Sequence, residues 1–178
     1  EVEVIEKGST GFLGIKSKPA IIKARKKNDT VDNIREFLEN VFSAMNMEVT
    51  IDIKKAEDDK VYEVELSGKE MGLLIGKRGQ TLDSLQYLTN LAVNKHSDGY
   101  IKVKLDTEDY RQRRKDTLEN LAKNIAYKVK RTKRPVSLEP MNPFERRVIH
   151  SALQGDRYVE THSEGEEPFR HVVVTLKK

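Results

Sequence analysis

The sequence predicts an α+β protein whose helices and strands fall into two successive units. Two patterns carry that prediction. Apolar residues recur at spacings of three and four through several long stretches, the helical period, and alternate through several short ones, the strand period. A third observation supports them: although 35% of the residues are charged, the 37% that are hydrophobic are patterned rather than scattered, which favours a folded chain over a disordered one.

Residues 1–25 read as two extended pieces, EVEVIE and AIIKAR, around the turn-like KGSTGFLGIKSKP, with KARKKND as a linker. Thr30 is placed to cap a helix from about Val31 to Met47, with Ile34, Leu38, Val41, Phe42 and Met45 on one face. A hairpin follows. Val49, Ile51 and Ile53 alternate, AEDDK turns, and Tyr62, Val64 and Leu66 alternate again. Ser67 and Glu70 fit a capping box for a short helix from Lys69 to about Ile75. A glycine loop interrupts it. A longer helix then runs from about Gln80 to Lys95, burying Leu82, Leu85, Leu88 and Ala92, and YIKVKL closes the unit as a strand.

The second unit opens on a long helix from Thr107 to about Arg131, with Tyr110, Leu118, Leu121, Ile125 and Val129 on one side and Pro135 as its stop. After a short VSL, the residues Asn142, Pro143 and Glu145 have the chemistry of a helix start: a cap, a first-turn proline and an acid at the third position. That helix ends near Gln154-Gly155, and RYVETHS and FRHVVVTL form a final hairpin around EGEEP.

Composition excludes several functions. With no cysteine there is no disulfide, thiolate metal site or cysteine nucleophile, which suits a reducing cytoplasm. Four scattered histidines without cysteine leave a metal site improbable. No apolar run approaches the ~20 residues of a membrane span and no signal-peptide pattern is seen at the first residues; with Glu rather than Met at position 1, a trimmed N-terminus is expected. The net charge of +4 is uneven: residues 1–30 and 106–157 are basic, while 31–105 hold 13 acidic against 10 basic residues.

Within that acidic middle lies LLIGKRGQTLDSL, Leu73 to Leu85. A G-x-x-G alone says almost nothing; its setting between a short and a longer helix is what counts. Glycine lets a ligand approach the main chain. The following helix presents unpaired N–H groups and the positive end of its dipole. Lys77 and Arg78 add two cations, so the place favours a polyanion's backbone, with aliphatic side chains beside it for bases. The alternative is a helix–turn–helix corner that needs glycine for close packing. No G-x-x-x-x-G-K-[ST] occurs, which argues against a phosphate-binding NTPase loop. IGKRGQTL resembles the I-G-x-x-G-x-x-[IL] signature of KH domains, and the element order resembles the type II arrangement. The resemblance implies that Ile75, Gly76, Lys77, Arg78, Gly79, Gln80 and Leu82 contact a single strand of about four nucleotides.

In NPFERRVIHSAL, Arg146 and His150 are four apart and expected on one polar helix face, with Val148, Ile149, Ala152 and Leu153 expected to cluster on another. An arginine offers a fork to phosphate, and a histidine can donate a hydrogen bond or stack on a base. Together with the preceding helix and following hairpin, this stretch resembles the R-three-H domain over roughly residues 107–177, a single-stranded nucleic-acid-binding module; Arg146, Arg147 and His150 are then its contacts. Arg111, Arg113 and Arg114 sit in the first turns of a helix, against its dipole, which hints at an external anion. A solvated face fits them as well. Arg170 and His171 could extend the binding face. KVKRTKRP lies at a helix C-terminus, where cations are favourable anyway.

A type II KH domain followed by an R-three-H α/β domain resembles the bacterial Jag family, also called KhpB or SpoIIIJ-associated. EKGSTGFLGIKSKPAIIKARKK is similar to the later part of its small β-rich N-terminal domain, whose opening strand and helix are not matched. The division implied is 1–27, a partial Jag N-terminal domain and linker; 28–106, KH; and 107–178, R-three-H. The resemblance implies a cytoplasmic bacterial RNA-binding protein that acts post-transcriptionally, is linked to cell elongation and division, and pairs with a small KH-only protein. Single-stranded DNA as ligand and a homodimer stay open, and no cofactor is expected. The alternative is a protein–protein adaptor with secondary nucleic-acid binding, favoured by the acidic middle. No nucleophile–base pair or nucleotide fingerprint points to an enzyme.

Overall fold

The first helix is capped one residue earlier than expected. The computed structural model describes residues 2–7, 19–24, 29–95, 97 and 99–177. In it the Asp29 carboxylate accepts the Thr30 N–H at 2.6 Å, and α1 spans Thr30–Ala44. Aspartate and threonine are both good caps, and Asp29 holds the extended backbone the position needs. Ahead of it β1 (Val2–Glu6) and β2 (Ile21–Ala24) pair antiparallel. Val4, Ile5, Ile21 and Ile22 are all exposed, so among the described residues this ribbon encloses no core of its own. The glycine-rich turn between these strands and residues 25–28 lie outside the described residues.

β3 (Val49–Lys55) and β4 (Val61–Gly68) form the expected hairpin, and β5 (Lys102–Asp106) lies parallel to β4, in the order β3-β4-β5. Parallel neighbours need a crossover. Here it is α2 (Met71–Ile75), a single 3-10 turn (Lys77–Gly79) and α3 (Gln80–Asn94). Tyr62, Val64 and Leu66 alternate inward on β4, joined by Val103 and Leu105 on β5, and they meet Ile34, Leu38, Leu82 and Leu85 of the helices in one cluster. Each fully buried leucine there contributes about 1.5–3 kcal/mol. The other sheet face is polar: Lys104 reaches Glu63 at 2.9 Å.

Two local expectations are corrected. Ser67 continues β4 and Glu70 makes no side-chain cap, so the capping box does not form. On α3, Leu82, Leu85, Thr89 and Val93 are the buried set, while Leu88 is exposed. Positions three, seven and eleven after Leu82 keep to one face of a 3.6-residue helix; position six does not. The Thr89 hydroxyl tolerates burial by donating to the Leu85 carbonyl at 2.8 Å.

The second unit starts at once, with α4 (Tyr110–Thr132) four residues after β5. Leu118, Ala122, Ala126 and Val129 face inward, and Leu121 is exposed against expectation. α4 ends before Pro135, at a left-handed Lys133 whose N–H bonds the Val129 carbonyl. β6 (Val136–Ser137) follows. α5 (Pro143–Leu153) begins as the sequence indicates: the Asn142 side chain accepts the Glu145 N–H at 2.9 Å, with proline at the first turn. β7 (Val159–Glu164) and β8 (His171–Leu176) complete an antiparallel sheet in the order β6-β8-β7. α4 and α5 cover it through Leu118, Val129, Ile149, Val159, Val172 and Val174. Among the described residues no helix is long and apolar enough to cross a membrane.

Candidate nucleic-acid interface

The two loop glycines are demanded first by the chain itself. Gly76 and Gly79 have φ of 67° and 78°, in the left-handed region. A Cβ on Gly76 would run into the Thr81 hydroxyl, and one on Gly79 would lie 2.7 Å from the Tyr110 ring. The loop is therefore folded down onto the starts of α3 and α4. Arg78 is committed too. Its guanidinium donates to the Pro140 carbonyl at 2.6 Å and pairs with the Glu139 carboxylate, both from the segment ahead of α5.

The loop residues expected to contact a strand are therefore not equally accessible. Gly79 is buried and Arg78 is tied to the second unit; Gly76 is half-buried and Lys77 exposed. Leu82 is fully buried in the core, Ile75 is half-buried, and Gln80 is exposed. What remains open is the Gly76-Lys77 half of the loop and the outer face of α3, beside the exposed Leu73.

On the flank of α3, Gln86, Asn90 and Asn94 form a ladder against β5. Asn90 donates to the Val103 carbonyl and accepts its N–H, both at 2.8 Å; Asn94 does the same for Ile101 at 2.7 Å; and Gln86 accepts the Leu105 N–H at 2.9 Å. Arg111 completes it, donating to the Leu105 carbonyl at 3.0 Å and to Asp83 at 2.8 Å. Arg113 pairs with Glu108 and Arg114 with Glu145. The arginines at the start of α4 are held by carboxylates of the chain, so the hint of an external anion there is accounted for internally.

Arg146 and His150 do not share a free polar face. Arg146 is buried: it donates to the Met141 carbonyl at 2.8 Å and to Glu167 at 2.7 Å. The His150 ring is clamped between two hydroxyls of β7, with Nδ1 2.7 Å from Thr161 Oγ1 and Nε2 2.9 Å from Ser163 Oγ. A neutral imidazole fits, since one nitrogen donates and the other accepts. Burial first, then the charges of Arg146 and His162, push the His150 pKa below its ordinary value, so the ring is neutral at pH 7. These two residues brace α5 against the hairpin. Arg147 is the exposed member, and it lines a cleft of about 320 Å³ with His150, Thr161 and Lys177. Arg170 is exposed, and His171 is half-buried with Nδ1 3.2 Å from the Phe169 carbonyl. Among the described residues no group of acidic and histidine side chains is arranged to hold a metal ion.

Family models match along the chain in order: Jag N-terminus over residues 1–26, the KH domain of KhpA/KhpB over 32–105, and the R-three-H domain over 116–176. The chain is 68% identical to RNA-binding protein KhpB of Clostridium symbiosum over 176 residues, 99% of this chain and 79% of that protein. This chain belongs to the KhpB family. RNA-binding protein KhpB of Bacillus subtilis (strain 168) is 40% identical over 181 residues, covering 100% of this chain and 86% of that one. The KhpB of Lactiplantibacillus plantarum is 37% identical over 162 residues, 90% of this chain and 50% of the relative. In this KhpB-family chain the Lys77 loop falls in the matched KH segment and the Arg146-His150 brace in the matched R-three-H segment.

Sequence reasoning missed the residues that occupy the expected contacts. Tyr110 over Gly79, and Glu139 and Pro140 on Arg78, lie far along the chain and leave no local signal. Thr161 and Ser163 did leave one. They are two apart on a strand, hence on one face, and both are hydroxyls suited to a histidine.

Proposed function

We propose that the chain is a non-catalytic binder of single-stranded RNA acting in the bacterial cytoplasm. The observation that carries this is the open half of the glycine loop. Lys77 stands in solvent on the loop that leads into α3, and the N-terminal end of a helix favours an anion nearby. Lys77 and Gly76 take a phosphate, Gln80 a neighbouring group, and Leu73 offers an apolar surface to a base. Arg147 and Lys177, beside the His150 cleft, take a second stretch of the strand, and Arg170 extends that face. Arg78, Arg146 and His150 act through the shape they hold. The relatives are RNA-binding proteins by name, which supports the ligand class. The family resemblance extends the proposal to post-transcriptional control linked to cell elongation and division. The division 1–27, 28–106 and 107–178 is part of this reading, supported by the two separate buried clusters.

The test is Lys77→Asp alone, because changing Arg78 would also cut its ties to Glu139 and Pro140. RNA affinity should fall by about tenfold or more, and the slope of log affinity against log salt should shrink by about 0.7, one phosphate contact fewer. Unchanged affinity in a variant with wild-type circular dichroism would refute the loop's role. The same titration with single-stranded DNA reads out the contribution of the 2′-hydroxyl.

One observation favours a protein partner as well. Tyr87, Leu88 and Leu91 leave an exposed apolar stripe along α3. It suits a small KH-only protein or a second copy of this chain, and an adaptor role with secondary RNA binding is the second reading. Sedimentation with and without RNA separates the two: an adaptor associates without RNA.

A further inference from the structure

From Lys123 to Arg134 the chain carries six basic residues and no acidic one. A helix C-terminus favours cations in its last turn, which accounts for Lys130 and Arg131. It does not account for the rest of what gathers there. Lys123, Tyr127, Lys130 and Arg131 lie four, seven and eight positions apart, on one face of α4. Tyr127 is 67% exposed, and Tyr158, in the turn ahead of β7, is 64% exposed. Lys130 joins the two elements, with Nζ 5.4 Å from the Tyr158 ring centroid and 2.6 Å from the Asp156 carboxylate. Lys123, Arg131, Lys133 and Arg134 have no ion pair among the described residues, unlike the arginines at the helix's other end. Lys133 holds φ 58° at the position where helices most often place glycine.

Two exposed rings, set beside Lys123, Arg131 and Arg134, which pair with no carboxylate among the described residues, match what a flexible polyanion with flat bases requires. We infer that the C-terminal end of α4 and the turn ahead of β7 form a further single-strand site, in which bases stack on Tyr127 and Tyr158 and phosphates lie against Lys123, Arg131 and Arg134. The inference rests on the single-strand reading above and extends its footprint. The site is continuous with the His150 cleft, because Lys177, which lines that cleft, donates to the Asp156 carbonyl at 2.6 Å. It is remote from Lys77: Tyr127 lies 17 residues along α4 from Tyr110, about 25 Å. A short strand held at the loop cannot reach it; a long one can.

The experiment uses the full chain and two labelled oligouridylates, one of about four nucleotides, the length a KH loop clamps, and one long enough to span both sites. Tyr127→Ala with Tyr158→Ala should leave the short ligand's affinity unchanged and weaken the long one about thirtyfold or more, the loss of two stacked bases. Tyr127→Phe with Tyr158→Phe should keep the long-strand affinity, since the ring faces remain. Arg131→Glu, on the exposed surface, should reproduce the length-dependent loss and serves if the alanine pair is misfolded. The inference is overturned by an unchanged long-strand affinity in these variants, by an equal loss at both lengths, or by phenylalanine losing as much as alanine. A polyglutamate that binds the patch while the long strand ignores it makes this a protein site and overturns the inference too. Lys77→Asp keeps the two readings apart: it weakens both lengths if the loop binds RNA. If it changes nothing while the tyrosine pair still weakens the long strand, the loop reading fails and the inference stands.

Discussion

Gly79 and His150 each sit where an obvious ligand contact was expected, and each is claimed by a neighbour in the same chain. A methyl group on Gly79 would press into the Tyr110 ring while the backbone stays at φ 78°. Gly79→Ala should therefore lower stability by about 1–3 kcal/mol through overpacking and left-handed strain, read as a lower urea midpoint at unchanged slope. His150 makes a pH prediction. Its folded pKa is depressed, by burial before any charge effect. The stability it contributes is fully present above about pH 6.5, the unfolded value, and is lost as pH falls through the folded value. Urea midpoints between those limits should decline on acidification in the wild type and decline less in His150→Gln; a ring titration by NMR should give a pKa below the ordinary one.

At the scale of elements, the amide ladder on α3 carries more of the first unit's order than its side chains suggest. Asn90→Leu removes both partners of Val103 at once and leaves a buried N–H and C=O unsatisfied, a cost of about 1–3 kcal/mol for each group. Thermal unfolding should show it, and amide exchange at Val103 should accelerate. The ladder explains what was legible in the sequence and what was not. Asn142, Pro143 and Glu145 announced the start of α5 because a helix cap is decided within four residues. The hairpins were legible for the same reason: strand alternation is local. The phase of α3 was not, since Leu82, Leu85, Leu88 and Leu91 fit two overlapping stripes, and only the sheet beneath selects between them. Gln86, Asn90 and Asn94 stand at a plain spacing of four, yet their partner strand follows a loop and cannot be read from them. Arg146 illustrates the same limit at the candidate site. Its acidic partner Glu167 lies 21 positions away, and without it the arginine reads as a surface fork.

For the molecule as a whole, the connection between the two units is built of contacts rather than of slack chain. Tyr110 covers Gly79, Arg78 reaches Glu139 and Pro140, and only Thr107 to Asp109 separate β5 from α4. Arg78→Ala should leave each core folded while speeding hydrogen exchange in residues 138–142 and 76–80. The Glu139 side of the pair is largely solvent-exposed, so the change should stay within about tenfold, the range of a partly screened pair. A shift in overall unfolding larger than that would mean the joint is structural for one of the cores. The amide ladder also limits how copies of this chain can join. Strand addition needs free N–H and C=O groups at a sheet margin, and along β5 they are already occupied. A ribbon of copies laid side by side needs two such margins on every member, so the β3-β4-β5 sheet cannot propagate one.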